Sequence, residues 1–137
     1  MPFVHTYIHT NTSNEKRALI VDAIHQALVS AIAMPDDELF NLVHEYDPAN
    51  FYYSRSFNGI ARSDYLVVVE ITLRRGRSDA MKKDLYSAIA QNISQASGQS
   101  TRDVFIFMHE NDYSDWSVGH GTFAMALVQQ RGGVVYK

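Results

Sequence analysis

The chain has no cysteine, which excludes a disulfide framework and any thiol nucleophile. No run approaches the ~20 apolar residues of a membrane span, and no signal-like apolar segment opens the sequence. Lysine and arginine total 12 against 15 acids, a net charge of −3. No stretch concentrates the cations, so nothing draws the chain generally to nucleic acid or an anionic lipid surface. The glycine patterns that cradle nucleotides, the G-x-S-x-G of serine hydrolases and zinc-like histidine spacings are missing as well. Linkers and low-complexity tracts are also missing. What remains is a single domain, residues 1–137, long enough to bury a core. It is expected in the cytoplasm, with no metal and no cofactor.

What is present is an internal repeat. Laying residues 13–47 over 78–112, an offset of 65, matches Ser13, Ala23, Ile24, Gln26, Ala31, Phe40, His44, Glu45 and Asp47 with Ser78, Ala88, Ile89, Gln91, Ala96, Phe105, His109, Glu110 and Asp112. The apolar pattern agrees. Phe3 to His9 reads as a strand, and Thr12-Ser13-Asn14-Glu15 as a capping box with Thr12 as N-cap. Ile20, Ile24, Ala27, Leu28 and Ala31 give one helical stripe, and Leu39 to His44 a second strand. The second half repeats the order. Tyr65 to Leu73 is a strand, and Ser78 or Asp79 starts a helix whose stripe is Met81, Leu85, Ile89, Ile93 and Ala96, ending near Gly98. Val104 to Met108 closes the unit. The expected fold is α+β, built as tandem β-α-β units (pseudo-repeats 2–47 and 67–112) with a four-stranded mixed sheet backed by two helices. Residues 51–62 read as a hairpin arm turning at Asn58-Gly59. Residues 113–137 form a tail in which Arg131 to Tyr136 is β-prone.

Pro2 carries the first chemical signal. Initiator methionine is commonly removed before a small residue, and Pro2 would then be a terminal secondary amine. Such amines titrate near ~8, so burial or a nearby cation brings them into the working range of a general base, while acidic surroundings keep them charged. The plainer role is to open a strand where its missing N–H costs little. Arg74-Arg75-Gly76-Arg77 follows a strand and precedes a helix. In an extended segment Arg75 and Arg77 point the same way and Arg74 elsewhere, so the pair can converge on a carboxylate or phosphate at a helix N-terminus. The alternative is solvated or surface-paired arginines. Pro35-Asp36-Asp37-Glu38 occupies the loop before the other strand, and one of its acids could face the site and activate a water. His5, His9, His25, His44, His109 and His120 read as structural.

Met1-Pro2, the doubled β-α-β, Pro35-Asp36-Asp37-Glu38-Leu39-Phe40, Arg62-Ser63, Arg75-Gly76-Arg77-Ser78 and Asp115-Trp116-Ser117-Val118-Gly119 together resemble the tautomerase superfamily, and within it the malonate semialdehyde decarboxylase group. The resemblance covers residues 2 to about 121. It implies a homotrimer whose sheets pack into a central barrel, with Pro2 as the catalytic group. It also implies that Arg75 and Arg77 bind a small carboxylate substrate, with Trp116 and Val118 as an apolar wall. Two positions depart from the pattern. Glu38 stands where the decarboxylases carry aspartate, with Asp37 adjacent, and Val118 stands where phenylalanine is usual.

The function expected is action on a small oxo or unsaturated acid. A neutral Pro2 would shuttle a proton in keto–enol tautomerisation; a protonated Pro2 would stabilise the enolate of a decarboxylation, and an acid-oriented water would permit hydration. The rival is a trimeric anion-binding module that keeps Met1, whose peptide bond leaves the proline nitrogen without basicity. A nucleic-acid contact through Arg74, Arg75, Arg77, Lys82 and Lys83 is the weakest alternative, since the net charge opposes it.

Overall fold

The computed structural model describes residues 2–124. Six main elements follow one another: β1 (Phe3–His9), α1 (Asn14–Ile32), β2 (Asn41–Tyr46), β3 (Val67–Arg74), α2 (Asp79–Ser97) and β4 (Val104–Asn111). They form one four-stranded sheet in the order β2-β1-β3-β4. β1 and β2 are parallel, β3 and β4 are parallel, and β1 meets β3 antiparallel, so the two β-α-β units join through their first strands. Both helices are 19 residues long, and they start and end 65 positions apart, at 14 and 79 and at 32 and 97.

Alternation explains how the sheet takes its helices. Val4, Thr6 and Ile8 of β1 and Val67, Val69, Ile71 and Leu73 of β3 are buried, while the residues between them are more open. Against that face lie Ile20, Ile24, Ala27, Leu28 and Ile32 of α1 and Leu85, Ile89 and Ile93 of α2. Ile89 and Ile93 are 0% exposed, so truncating either to alanine is expected to cost about 2–5 kcal/mol. Ala31 is half-buried and Ala96 exposed, so each stripe is narrower at its C-terminal end than expected.

The other face of the sheet carries no helix among the described residues. His5 Nδ1 lies 2.8 Å from His44 Nε2, Tyr7 donates to Glu70 at 2.8 Å, and His109 lies 2.8 Å from the other Glu70 oxygen. The Tyr7 hydrogen bond, above all, holds the Glu70 carboxyl below its usual range. Phe105 and Phe107 stand half-open beside them, 40% and 37% exposed.

The termini of the elements differ in places from the sequence reading. Ser13, not Thr12, caps α1: its side chain accepts from Lys16 N at 3.1 Å, while the Thr12 hydroxyl is donated to the His9 carbonyl. Ser78 caps α2, and Gly98 ends it at φ 77. β2 begins at Asn41 rather than Leu39, and β4 runs on to Asn111. Residues 51–62 are no strand hairpin. Asn58 and Gly59 take positive φ (60 and 74), and Arg62 N reaches Arg55 O at 3.0 Å. Ser54 Oγ, however, captures the amides of Ser56 and Phe57, and the Arg62 guanidinium takes the carbonyls of Phe57 and Ile60, so a ladder loses its partners. The expected β-prone tail at Arg131 to Tyr136 lies outside the described residues. No helix among the described residues is long and apolar enough to cross a membrane.

Candidate active site

Strand directions gather four chain segments at one end of the sheet. β1 and β2 start there, while β3 and β4 finish there. Val4 pairs with Ile71 and with Asn41, so one or two steps further out Pro2 comes beside Leu73 on one side and Leu39 on the other. Val4 N donates to Phe40 O at 2.9 Å, tying the post-α1 loop to the start of β1. Arg75 N donates to Asn111 O at 2.7 Å, tying the post-β3 loop to the end of β4.

Pro2 is less than 2% exposed and lines two cavities. One, of about 200 Å³, is walled by Pro2, Phe3, Phe40, Trp116, Ser117 and Val118. The other is only about 10 Å³ and includes Pro2, His25, Glu38 and Asn41 in its lining. The indole N–H of Trp116 donates to Asn111 Oδ1 at 2.7 Å, fixing the ring plane. A β-bridge between Ser117 and Phe123 and the bond from Ala124 N to Trp116 O hold the loop behind it.

Of the two acids proposed from sequence, Glu38 turns inward and Asp37 is exposed. Glu38 Oε2 is buried with no protein hydrogen-bond partner. Asp36, two positions earlier, meets His25 Nε2 at 3.1 Å.

The arginines do not share a direction. Arg77 is 7% exposed; its Nη1 donates to Arg74 O at 2.6 Å, while Nε and Nη2 have no protein partner. Burial, and then the Arg74 cation, lower its pKa, whereas Tyr113, Glu110 and Glu38 oppose that shift. Arg75 points outward, its side chain 60% exposed and bonded through Nε to Asp112 at 2.8 Å, which holds the guanidinium more firmly protonated. Gly76 between them sits at φ 126, a conformation open to glycine that breaks the extended alternation on which convergence relied. Arg74 and Arg77 are the neighbours instead, with Arg74 lying 5.0 Å over the Tyr113 ring. Neither Arg75 nor Arg77 lines the two cavities at Pro2; Glu38, which lines the smaller one, acts on Arg77 only through space, as a charge.

Sequence reasoning passed over His25, Asn41 and Tyr113. The Tyr113 hydroxyl, His25 Nδ1 and Asn41 Nδ2 are all buried without a protein partner. Only the position of His25 on the α1 face that packs inward hinted at this. Among the described residues no group of three or more histidine or acidic side chains could hold a metal ion.

A family model described as a tautomerase enzyme matches residues 37–119, and a second with the same description matches residues 2–54. The chain is 32% identical over 125 residues to the probable tautomerase YusQ of Bacillus subtilis (strain 168), covering 91% of this chain and 98% of that one. Among solved structures it is similar to FG41 malonate semialdehyde decarboxylase inhibited by 3-bromopropiolate, with 29% identity, a TM-score of 0.86, and 93% and 96% of the two chains covered. A fused 4-OT described as a symmetric trimer shares the fold, with a TM-score of 0.77 at 22% identity over 91% of this chain and 98% of that one. The chain therefore belongs to the tautomerase superfamily, in its malonate semialdehyde decarboxylase-like group.

Proposed function

We propose that this tautomerase-family chain is an enzyme whose catalytic group is the amino-terminal amine of Pro2, exposed when Met1 is removed, and whose substrate is a small oxo or unsaturated carboxylic acid. The observation that carries the reading is the position of Pro2 on the wall of both cavities, one apolar and sized for a small acid, the other small and including Glu38, Asn41 and His25 in its lining. Trp116 and Val118 line the apolar cavity and exclude water from the substrate's carbon skeleton. Arg77 keeps two unused donors, Nε and Nη2, a fork suited to one carboxylate. Arg75 joins it if its contact with Asp112 is exchanged for substrate.

In keto–enol tautomerisation, neutral Pro2 takes a proton from one atom of the substrate and returns it to another. In decarboxylation, protonated Pro2 hydrogen-bonds the carbonyl oxygen, the C–C bond pair enters the enolate as CO₂ leaves, and the enolate carbon then takes the Pro2 proton, which solvent replaces. Glu38, whose Oε2 is buried without a protein partner, rather than the exposed Asp37, is the acid proposed to accept a proton from water in a hydration. As in the trimeric relatives, the sheet face opposite α1 and α2 is proposed to pack against two further copies.

The test compares wild type with Pro2→Ala and Arg77→Met on phenylenolpyruvate, malonate semialdehyde and a 3-haloacrylate, after intact mass has established that Met1 is absent. Wild type is expected to turn over at least one of these, with Pro2→Ala slower by about 10²–10⁴-fold. A Pro2→Ala protein with full rates on every substrate would refute the amine mechanism, and light scattering that returns a monomer would refute the trimer.

A further inference from the structure

The small cavity behind Pro2 has the donor and acceptor set of a single buried water. Three of its lining residues each bring a buried polar atom without a protein partner: Glu38 Oε2, Asn41 Nδ2 and His25 Nδ1. Their hydrogen-bonding roles follow from their other contacts. The Thr6 hydroxyl donates to Asn41 Oδ1 at 2.8 Å, which leaves the Asn41 amide N–H as a donor. His25 Nε2 lies 3.1 Å from Asp36 Oδ1, so the ring proton belongs on Nε2 and Nδ1 is an acceptor. Glu38 Oε2 is an acceptor. One donor and two acceptors match a water that donates twice and accepts once, keeping a second lone pair free. The cavity volume of about 10 Å³ is at the size that admits one water, and two to four polar partners are what such a water requires. Left unpaired, each of the three groups carries a desolvation penalty, so the site is built for an occupant.

We propose that this water is a component of the enzyme, and that His25 is a positioning residue that holds it and links it to solvent. The inference rests on the Pro2 reading above and deepens it. His25 is 7% exposed and also lines a surface groove of about 390 Å³ on its other side, with Asn14, Arg17, Asp22 and Leu39. Asp36, 83% exposed at its side chain, completes the path outward. The need for such a path depends on the reaction. Tautomerisation returns the proton it takes and consumes nothing from solvent. Hydration consumes the water: its oxygen bonds to carbon, one of its protons goes to Glu38, and the adjacent carbon takes the Pro2 ammonium proton. Glu38 then returns its proton to the Pro2 nitrogen, and a second water must enter. Decarboxylation consumes one proton per turnover, drawn from solvent through the same water.

A crystal structure of the Met1-processed protein tests the site, and kinetics of His25→Leu and His25→Gln test the role. A water within hydrogen-bond distance of Glu38, Asn41 and His25 is expected, kept in His25→Gln and lost in His25→Leu. Hydration or decarboxylation, whichever the wild type performs, is expected to lose on the order of a hundredfold in kcat in His25→Leu, and far less in His25→Gln. KM is expected to stay within about twofold and phenylenolpyruvate ketonisation within about threefold. A dry cavity, or equal losses in both reaction classes, overturns the proposal. A wild type that ketonises but neither hydrates nor decarboxylates also overturns it while leaving the Pro2 reading intact. Full rates in Pro2→Ala beside an ordered water would refute the proline mechanism alone.

Discussion

The two ends of the sheet are built from the same kinds of residue and treat them in opposite ways. At the end where β1 and β2 finish, every buried polar side chain named here is paired. Gln99 donates to the carbonyls of Tyr65 and Asp103 and accepts from Lys16, at 2.6, 3.1 and 2.9 Å. Asp103, 4% exposed, accepts from the amide and the hydroxyl of Ser63 at 2.8 and 2.6 Å. Tyr46 donates to Leu66 O at 2.7 Å, and His9 Nδ1 accepts from Asn11 N at 2.9 Å. At the Pro2 end, Glu38, Asn41, His25, Arg77 and Tyr113 each keep a buried polar atom with no protein partner. Buried groups are normally satisfied because leaving them unpaired costs stability. The contrast separates an end whose buried groups satisfy one another from an end whose buried groups do not, the pattern that the proposed function calls for.

The largest effect that could break this contrast is at Pro2. Pro2→Ala is expected to lower turnover by about 10²–10⁴-fold with little change in melting temperature. A large stability loss with activity retained would make the Pro2 end structural after all. At the opposite end the signs reverse. Asp103→Ala strands the Ser63 amide and is expected to cost about 2–3 kcal/mol of folding stability, read by urea titration, with kcat per folded molecule unchanged.

Arg77→Met sharpens the comparison through its sign. It removes a buried cation whose Nε and Nη2 have no protein partner, so stability is expected to hold or to rise by about 1 kcal/mol. kcat/KM is expected to fall by about a hundredfold or more. Destabilisation with unchanged kinetics would assign Arg77 to the scaffold.

How much of this was visible in the sequence follows the range of the interactions. β1, the start of α2 at Ser78 or Asp79, the Gly98 stop and the 65-residue offset were legible because each rests on local pattern: alternation, the onset of a helical stripe, a helix-ending glycine. The cap of α1 slipped from Thr12 to Ser13 because both hydroxyls can serve and the His9 carbonyl claims one of them. The shared direction of Arg75 and Arg77 failed at a single residue, Gly76, whose φ of 126 the spacing rule does not foresee. His25, Asn41 and Tyr113 were hidden for a different reason. Each is ordinary in its own segment, and its unpaired atom is defined only once α1, the 35–40 loop, the start of β1 and the loop after β4 come together.

The smallest prediction exploits the repeat itself, because the two helices begin at opposite ends of the sheet. Ser13 caps α1 at the paired end and Ser78 caps α2 at the Pro2 end, each accepting from the amide three residues on, at 3.1 and 3.2 Å. Removing either hydroxyl with alanine is expected to cost about 1 kcal/mol of stability, so the two variants should melt alike. Their kinetics should not match. Ser78 follows Arg77 directly, and a frayed first turn of α2 loosens the backbone that sets the guanidinium, which is expected to raise KM for the acid about two- to fivefold. Ser13→Ala disturbs only the end away from Pro2 and is expected to leave KM where it was. Equal KM values in the two variants would mean that α2 does not position Arg77 for substrate.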